Sequence, residues 1–133
     1  MFASKTILLF DGSAYAALDL AAAVEELGGR VAGPVASIGE AALLVNGAAL
    51  DGAIVDGELA DAPAVATLLA GRNVPFVIQT SMALPAPLAA LEGSVPVLAR
   101  PIAAFAILQH LHASMGQRAR RIPIGLGAEP KQV

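Results

Sequence analysis

A chain of 133 residues is long enough for one domain with a substantial core, and its lack of cysteine excludes a disulfide framework and a thiolate metal site. The net charge of -3 and the aromatic content of 4% argue against a nucleic-acid or anionic-membrane surface. Hydrophobic residues make up 56% of the chain, but the longest uncharged stretch, 73–91, contains three prolines and fits a membrane-spanning helix poorly. We therefore expect a soluble, cytoplasmic protein.

The first half of the chain alternates short apolar runs with stretches of helical spacing. The elements predicted there are a strand at 6–10, a helix at 13–27, a strand at 30–35 and a helix at 37–47. Ser13 is suited to cap the first helix and Gly28 to end it. The second helix opens on Ser37 and Glu40, which form a Ser-x-x-Glu capping box.

The second half of the chain continues the alternation. The predicted elements are strands at 52–56, 74–80 and 95–99 and helices at 61–71, within 84–91 and at 101–115. Asp61 and Pro63 suit the cap and the first turn of their helix, whereas Pro85 and Pro87 limit the short one. The pattern stops at Gly116, so we predict a domain over 1–115 and a flexible C-terminal tail over 116–133.

The predicted strands are continuous apolar runs, which is typical of strands that are covered on both faces. Their alternation with helices favours an α/β fold, in which a parallel sheet lies between two helical layers. Ligands of such sheets bind beyond the carboxyl ends of the strands. Polar residues stand at these ends, namely Asp11, Asp56, Thr80 and Arg100. Each could merely cap the helix that follows, but the four together favour a functional site.

Several segments of the sequence resemble CheY-like receiver domains of two-component response regulators. The matching segments are ILLFDGS, VEELGGRVAGPVASIGEAALL and VPVLARP, and the resemblance covers residues 5–114. It implies a flavodoxin-like (βα)5 three-layer sandwich with a parallel five-stranded sheet in the order 2-1-3-4-5.

The resemblance implies an acidic pocket. By this resemblance Asp56 accepts a phosphoryl group from a sensor histidine kinase or a phosphotransfer protein, and Asp11, Asp56 and the backbone carbonyl of Glu58 hold Mg²⁺. Gly12 stands where the family usually has a second acid. Since Mg²⁺ requires several oxygen ligands, we expect weak binding. We expect the Glu58 side chain to be a solvated loop charge.

The resemblance also implies residues that contact the phosphoryl group or switch on phosphorylation. These are Thr80, Ser81 and Arg100, and Pro101 matches a proline that is usually cis. Arg100 replaces a lysine of the family; it can bind a phosphoryl group in a fork, or pair with Asp56 and mimic the occupied state. An arginine here should favour the ionised forms of the nearby acids. Val97 replaces the family's switching Tyr or Phe and can pack instead.

Three functions stay open from the sequence. The first is a stand-alone, non-enzymatic response-regulator receiver that is phosphorylated on Asp56 and signals through protein contacts, as a phosphorelay intermediate or a phosphoryl sink. The second is a pseudo-receiver that binds partners or dimerises without phosphorylation, which Gly12 and Arg100 favour. The third is a small nucleotide- or flavin-binding enzyme. It has the least support, because no G-x-G-x-x-G follows the first strand and no P-loop motif occurs.

The resemblance places the output surface, and a possible homodimer interface, on the last two helices and the fifth strand. Candidate residues of this surface are Ala103, Ile107, His110 and Leu111. Neither a nucleic acid nor a membrane is expected as a partner.

Overall fold

The computed structural model describes residues 1–124, which form five strands and five helices in strict alternation. The strands are β1 Thr6–Phe10, β2 Arg30–Val35, β3 Gly52–Asp56, β4 Phe76–Thr80 and β5 Val97–Ala99. The helices are α1 Ala14–Glu26, α2 Ile38–Gly47, α3 Ala62–Gly71, α4 Ala86–Ala89 and α5 Ala104–Ile124. Within this part of the chain, no helix combines the length and the hydropathy needed to cross a bilayer.

All neighbouring strands are parallel, and their order in the sheet is β2-β1-β3-β4-β5. This order confirms the predicted flavodoxin-like fold. It gives β1, β3 and β4 a neighbouring strand on each side, with β3 at the centre. Because all the strands are parallel, the carboxyl ends of β1, β3, β4 and β5 lie along one edge of the sheet.

The sheet is covered on both faces, and this explains the continuous apolar runs of its strands. Successive side chains of a strand point to opposite faces. Leu8 and Phe10 pack in a cluster with residues of α2, α3 and α4, whereas Ile7 and Leu9 pack in a second cluster with residues of α1 and α5. All four side chains are fully buried. Each such burial stabilises the fold by roughly 1.5–3 kcal/mol.

The predicted caps of the first two helices are confirmed. Ser13 Oγ accepts a hydrogen bond from the Ala16 N–H at 3.3 Å. At α2, Ser37 Oγ accepts from the Glu40 N–H at 3.2 Å, and the Glu40 carboxylate accepts from the Ala36 N–H at 3.3 Å. These bonds satisfy N–H groups that the helices leave without an internal partner.

The predicted start of α3 is confirmed, with Asp61 at the N-cap position and Pro63 in the first turn, but the Asp61 side chain does not cap this helix. The Asp61 side chain makes no hydrogen bond to its own helix; it accepts instead from the Ile38 N–H, at the first turn of α2, at 2.8 Å. Because a carboxylate is stabilised by the free N–H groups of any nearby helix start, the packing of α2 beside α3 decides which helix it serves.

The last helix differs from the prediction at both ends. It begins at Ala104 rather than 101 and continues to Ile124 rather than 115. Gly116 lies inside the helix and does not end it, because a single internal glycine costs only about 1 kcal/mol. The first nine residues of the predicted tail are therefore helical. Residues 125–133 lie outside the described part of the chain, and the flexibility of the tail stays a prediction.

Two of the output-surface candidates are wrong. Ile107 and Leu111 are buried in the cluster beneath α1 and α5, whereas Ala103 and His110 are exposed. Helical spacing placed the four residues on one helix, but only the packing of α5 on the sheet shows which of its faces is covered.

Candidate functional site

The alternation of side chains along the strands selects which residues meet at the carboxyl edge of the sheet. Asp11, Asp56, Gln79 and Arg100 each stand two positions after a buried residue of the α1 and α5 cluster, namely Leu9, Ile54, Val77 and Leu98. They therefore continue onto the same face. Thr80 stands two positions after Ile78, which belongs to the cluster on the opposite face.

Asp56 is the last residue of β3 and is only 7% exposed. Its Oδ1 accepts a hydrogen bond from the Glu58 N–H at 3.0 Å and one from Arg100 Nη1 at 3.3 Å. No donor of the described residues reaches its other carboxylate oxygen, Oδ2. Asp56 thus has one oxygen held by the protein and one available for chemistry. The alternative in which Arg100 pairs with Asp56 is confirmed.

Asp11 follows β1 and is buried beside Asp56. Its Oδ1 accepts from the Ser13 N–H at 2.8 Å, and its Oδ2 accepts from Gln79 Nε2 at 3.4 Å. Burial raises the pKa of the Asp11 carboxyl above its ordinary value; the Ser13 N–H opposes this rise, Asp56 adds to it and Arg100 opposes it. Arg100 thus favours the ionised form of Asp11, as expected, but desolvation has the larger effect and the pKa of Asp11 is raised overall.

We expect the Asp11→Asn variant to be more stable than the wild type at neutral pH, with a free energy of unfolding that is higher by on the order of 1 kcal/mol. Asparagine keeps an oxygen acceptor for the Ser13 N–H and removes a charge that burial disfavours. Because the pKa of Asp11 is raised in the folded chain, the folded state holds this proton more tightly than the unfolded state. Wild-type stability contributed by this group is thus lost as the pH rises from 3.8 through the folded pKa.

Urea unfolding in metal-free buffer checks this prediction. The difference between the Asp11→Asn variant and the wild type should grow as the pH rises above 3.8 and should disappear below it. Asp19→Asn removes the same charge from an exposed position on α1 and should show no such difference. A variant of Asp11 that is less stable than the wild type at neutral pH would contradict the account.

Glu58 forms a polar network that sequence analysis missed. Its Oε2 accepts hydrogen bonds from the Ser81 N–H at 2.6 Å, from Ser81 Oγ at 2.6 Å and from Arg100 Nη1 at 3.0 Å. The two Ser81 hydrogen bonds lower the pKa of the Glu58 carboxyl, burial opposes this, and Arg100 lowers the pKa further. The prediction of a merely solvated loop charge is wrong, because the β3–α3 and β4–α4 loops bring these groups together.

The hydroxyl of Thr80 points away from the acidic residues. Thr80 Oγ1 donates to the Met82 carbonyl oxygen at 2.9 Å and accepts from the Met82 N–H at 3.2 Å. Within the described residues, the Thr80 hydroxyl makes no hydrogen bond to Asp56 or Arg100. The backbone of Thr80 does reach the site, since its carbonyl oxygen accepts from the Arg100 N–H at 2.9 Å.

Gln79 is a residue of the site that sequence analysis overlooked. It lies in β4 opposite Asp56, is only 4% exposed, and donates to Asp11. A signal was present, because a polar residue inside the otherwise apolar strand FVIQT requires a buried partner. The partner could not be identified without the register of β3 and β4.

Leucine fills the place where the family's second acid would lie. A Cβ added at Gly12 would meet Leu59 Cδ2 at 2.8 Å, so the Leu59 side chain covers this position. Within residues 1–124, no three acidic or histidine side chains are grouped so that they could hold a metal ion. Arg100 already binds the Asp56 carboxylate. Mg²⁺ is usually held by one or two carboxylates and several waters in near-ideal octahedral geometry. With one Asp56 oxygen bound by Arg100 and leucine in the place of a second acid, this donor set fits Mg²⁺ poorly.

Pro101 has the peptide geometry that the resemblance implies, and Val97, which departs from the family, packs as expected for a small apolar residue. The peptide bond between Arg100 and Pro101 is cis. Val97 begins β5 and packs, partly buried, against the core cluster beneath α2, α3 and α4.

Comparison with solved structures finds receiver domains. A response regulator receiver protein from Sinorhizobium medicae WSM419 is 27% identical, with a TM-score of 0.73 over 86% of this chain and 97% of that chain. The signal receiver domain of a modulated diguanylate cyclase from Desulfovibrio desulfuricans G20 is 26% identical, with a TM-score of 0.74 over 89% and 98%. The signal receiver domain of an HD domain-containing protein from Pseudomonas fluorescens Pf-5 is 18% identical, with a TM-score of 0.75 over 88% of this chain and 98% of that chain.

Comparison with protein-family models and with curated proteins finds no match. The strand order and the solved structures nevertheless agree, and the chain has a CheY-like receiver fold. The similar receivers support a role in response-regulator signalling.

Proposed function

We propose that this protein is an atypical response-regulator receiver that accepts a phosphoryl group on Asp56. The donor would be a sensor histidine kinase or a phosphotransfer protein. The observation that carries the proposal is the Asp56 carboxylate itself. It ends the central strand β3, and a backbone N–H and Arg100 hold its Oδ1 while its Oδ2 accepts no hydrogen bond from the described residues.

The transfer can be written with the groups that this chain supplies. Asp56 Oδ2 attacks phosphorus and forms an O–P bond, while the P–N bond of a phosphohistidine breaks and its electron pair returns to the imidazole. Transfer of this kind depends mainly on alignment and on neutralisation of the oxygens. The Arg100 guanidinium, which contacts Asp56, and the Ser81 N–H and hydroxyl, which share the Glu58 carboxylate with Arg100, are the donors that we assign to the phosphoryl oxygens.

No step is assigned to a metal ion, because the donor set around Asp11 and Asp56 is incomplete. Receivers in general use Mg²⁺ in the acidic pocket, and the weak binding expected from Gly12 agrees with the leucine that covers its place. Thr80 would have to leave Met82 before its hydroxyl could contact a phosphoryl oxygen.

A pseudo-receiver that acts without phosphorylation is the second candidate. The contact between Arg100 and Asp56 favours it, since a cation already neutralises the carboxylate in the absence of phosphate. In either case signalling would pass through protein contacts. A homodimer through α4, β5 and α5, with Ala103 and His110 exposed at its surface, stays a proposal.

Incubation with acetyl phosphate, followed by intact-protein mass spectrometry, separates these functions. We expect the wild type to gain the mass of one phosphoryl group, and Asp56→Asn to gain none, because its amide is a poor nucleophile. The reaction should be run with Mg²⁺ and with EDTA. If the wild type gains no mass under either condition, the phosphoacceptor function is wrong and the pseudo-receiver is favoured.

A further inference from the structure

One carboxylate oxygen of Glu58 accepts hydrogen bonds from three donors. The Ser81 N–H and Ser81 Oγ each lie 2.6 Å from Oε2, and Arg100 Nη1 lies 3.0 Å from it. The same Nη1 donates to Asp56 Oδ1 at 3.3 Å. A single guanidinium nitrogen therefore bridges the Glu58 carboxylate and the carboxylate of the proposed phosphoacceptor.

These donors are of the kind that binds a tetrahedral oxyanion. A backbone N–H, a hydroxyl and a guanidinium converge on one point, and such groups bind phosphoryl oxygens through charge-assisted hydrogen bonds. Glu58 supplies the negative charge that this group of donors attracts. The hydrogen bonds from Ser81, with the help of Arg100, hold the pKa of the Glu58 carboxyl below its ordinary value, so the occupant is an anion.

The Glu58 carboxylate is held weakly enough that another anion can replace it. Its side chain is 26% exposed and lies in the loop between β3 and α3. Within the described residues, its carboxylate has no hydrogen-bond partner besides Ser81 and Arg100. Exposed ion pairs contribute little to stability, because water and salt compete for both partners. An arriving oxyanion can therefore replace the carboxylate at small cost.

We propose that Glu58 is a resident anion, which occupies an oxyanion site formed by Ser81 and Arg100 and must leave before a phosphoryl group or another oxyanion binds there. The role of this exchange in phosphorylation rests on the proposed function. The oxyanion site itself does not, because its donors are present whether or not Asp56 reacts. Removing the Glu58 charge opens the site to small oxyanions without a metal ion.

Inorganic phosphate is the probe for this site. It is titrated at constant ionic strength, with EDTA, into Asp56→Asn protein, which cannot be phosphorylated there, and the backbone amide shift of Ser81 is followed by NMR. Adding Glu58→Ala or Glu58→Gln should strengthen phosphate binding at least about tenfold, because a like charge leaves the site. Glu25→Gln removes an exposed charge from α1 and should bind phosphate as its parent does.

Equal phosphate affinity in the Glu58→Ala variant and its parent, or a Ser81 amide that does not shift, overturns the inference. Arg100→Met added to Glu58→Ala should abolish the gain, and a gain that persists overturns the assigned donors. If Glu58→Ala gains affinity but the wild type never accepts a phosphoryl group, the resident anion stands and the proposed function fails. If the wild type is phosphorylated and Glu58→Ala gains nothing, this inference alone fails.

Discussion

An Arg100→Met variant is expected to accept a phosphoryl group on Asp56 at least about 100-fold more slowly than the wild type. Removing one preorganised donor from a site that stabilises developing charge typically costs this much. Arg100 is the cation in contact with Asp56, and the donor set beside it does not fit a metal ion that could take over its role. Methionine has a similar length but supplies neither the charge nor the hydrogen bonds.

The rate of phosphoryl incorporation from acetyl phosphate, measured by intact mass, checks this prediction. Arg100→Lys is the matched control, because it keeps the charge and can still donate to both Asp56 and Glu58; its rate should stay within about tenfold of wild type. Thermal unfolding of each variant shows whether the fold is retained. Phosphorylation of a folded Arg100→Met variant at the wild-type rate would show that Arg100 does not neutralise the transferred group.

The double variant Gly12→Asp with Leu59→Ala is expected to bind Mg²⁺ about 10- to 100-fold more tightly than the wild type. Loss of a group that supports a metal ligand typically costs this range of affinity, and the double variant restores such a group. The introduced carboxylate would lie beside Asp11 and supply the second acid that the site lacks. Truncating Leu59 is needed because its Cδ2 lies 2.8 Å from the position that a Cβ at Gly12 would take.

Titration of Mg²⁺, followed through the amide shifts of Asp11 and Asp56, measures this gain. Gly12→Asn with Leu59→Ala is the matched control, because it has the same shape without the charge and should bind Mg²⁺ no better than the wild type. Gly12→Asp alone should gain less than the double variant, since the leucine must first move. Equal affinity of the two double variants would mean that the second acid does not limit Mg²⁺ binding here.

The members of the site that could be predicted are those whose positions follow from the ends of strands. Asp11, Asp56 and Arg100 each follow an apolar run directly. A parallel sheet brings such ends to one edge, so their meeting required no knowledge of loops or side-chain directions. The pairing of Arg100 with Asp56 could also be foreseen, since opposite charges at one edge attract each other. It was one of the two roles considered for Arg100, the other being a contact with a phosphoryl group.

Gln79, the overlooked member of the site, and the side-chain contacts that were not predicted depend on side-chain directions and loop paths. Thr80 also follows a strand run, but alternation along β4 turns its side chain to the other face and gives Gln79 its place beside Asp11. Glu58 and Ser81 are 23 residues apart, and their hydrogen bonds exist only because two loops after neighbouring strands come together. Asp61 likewise bonds to α2 rather than to its own helix.

By itself the amino-acid sequence determined the order of strands and helices, their caps at Ser13 and Ser37, and the acids at the carboxyl edge of a parallel sheet. These features depend on periodicity and on contacts between residues close in the chain, so a local pattern is sufficient to predict them. Only the tertiary structure decided that Leu59 covers Gly12 and that Glu58 engages Ser81 and Arg100. These contacts join separate loops, whose paths are set by packing against the whole sheet rather than by the residues of either loop.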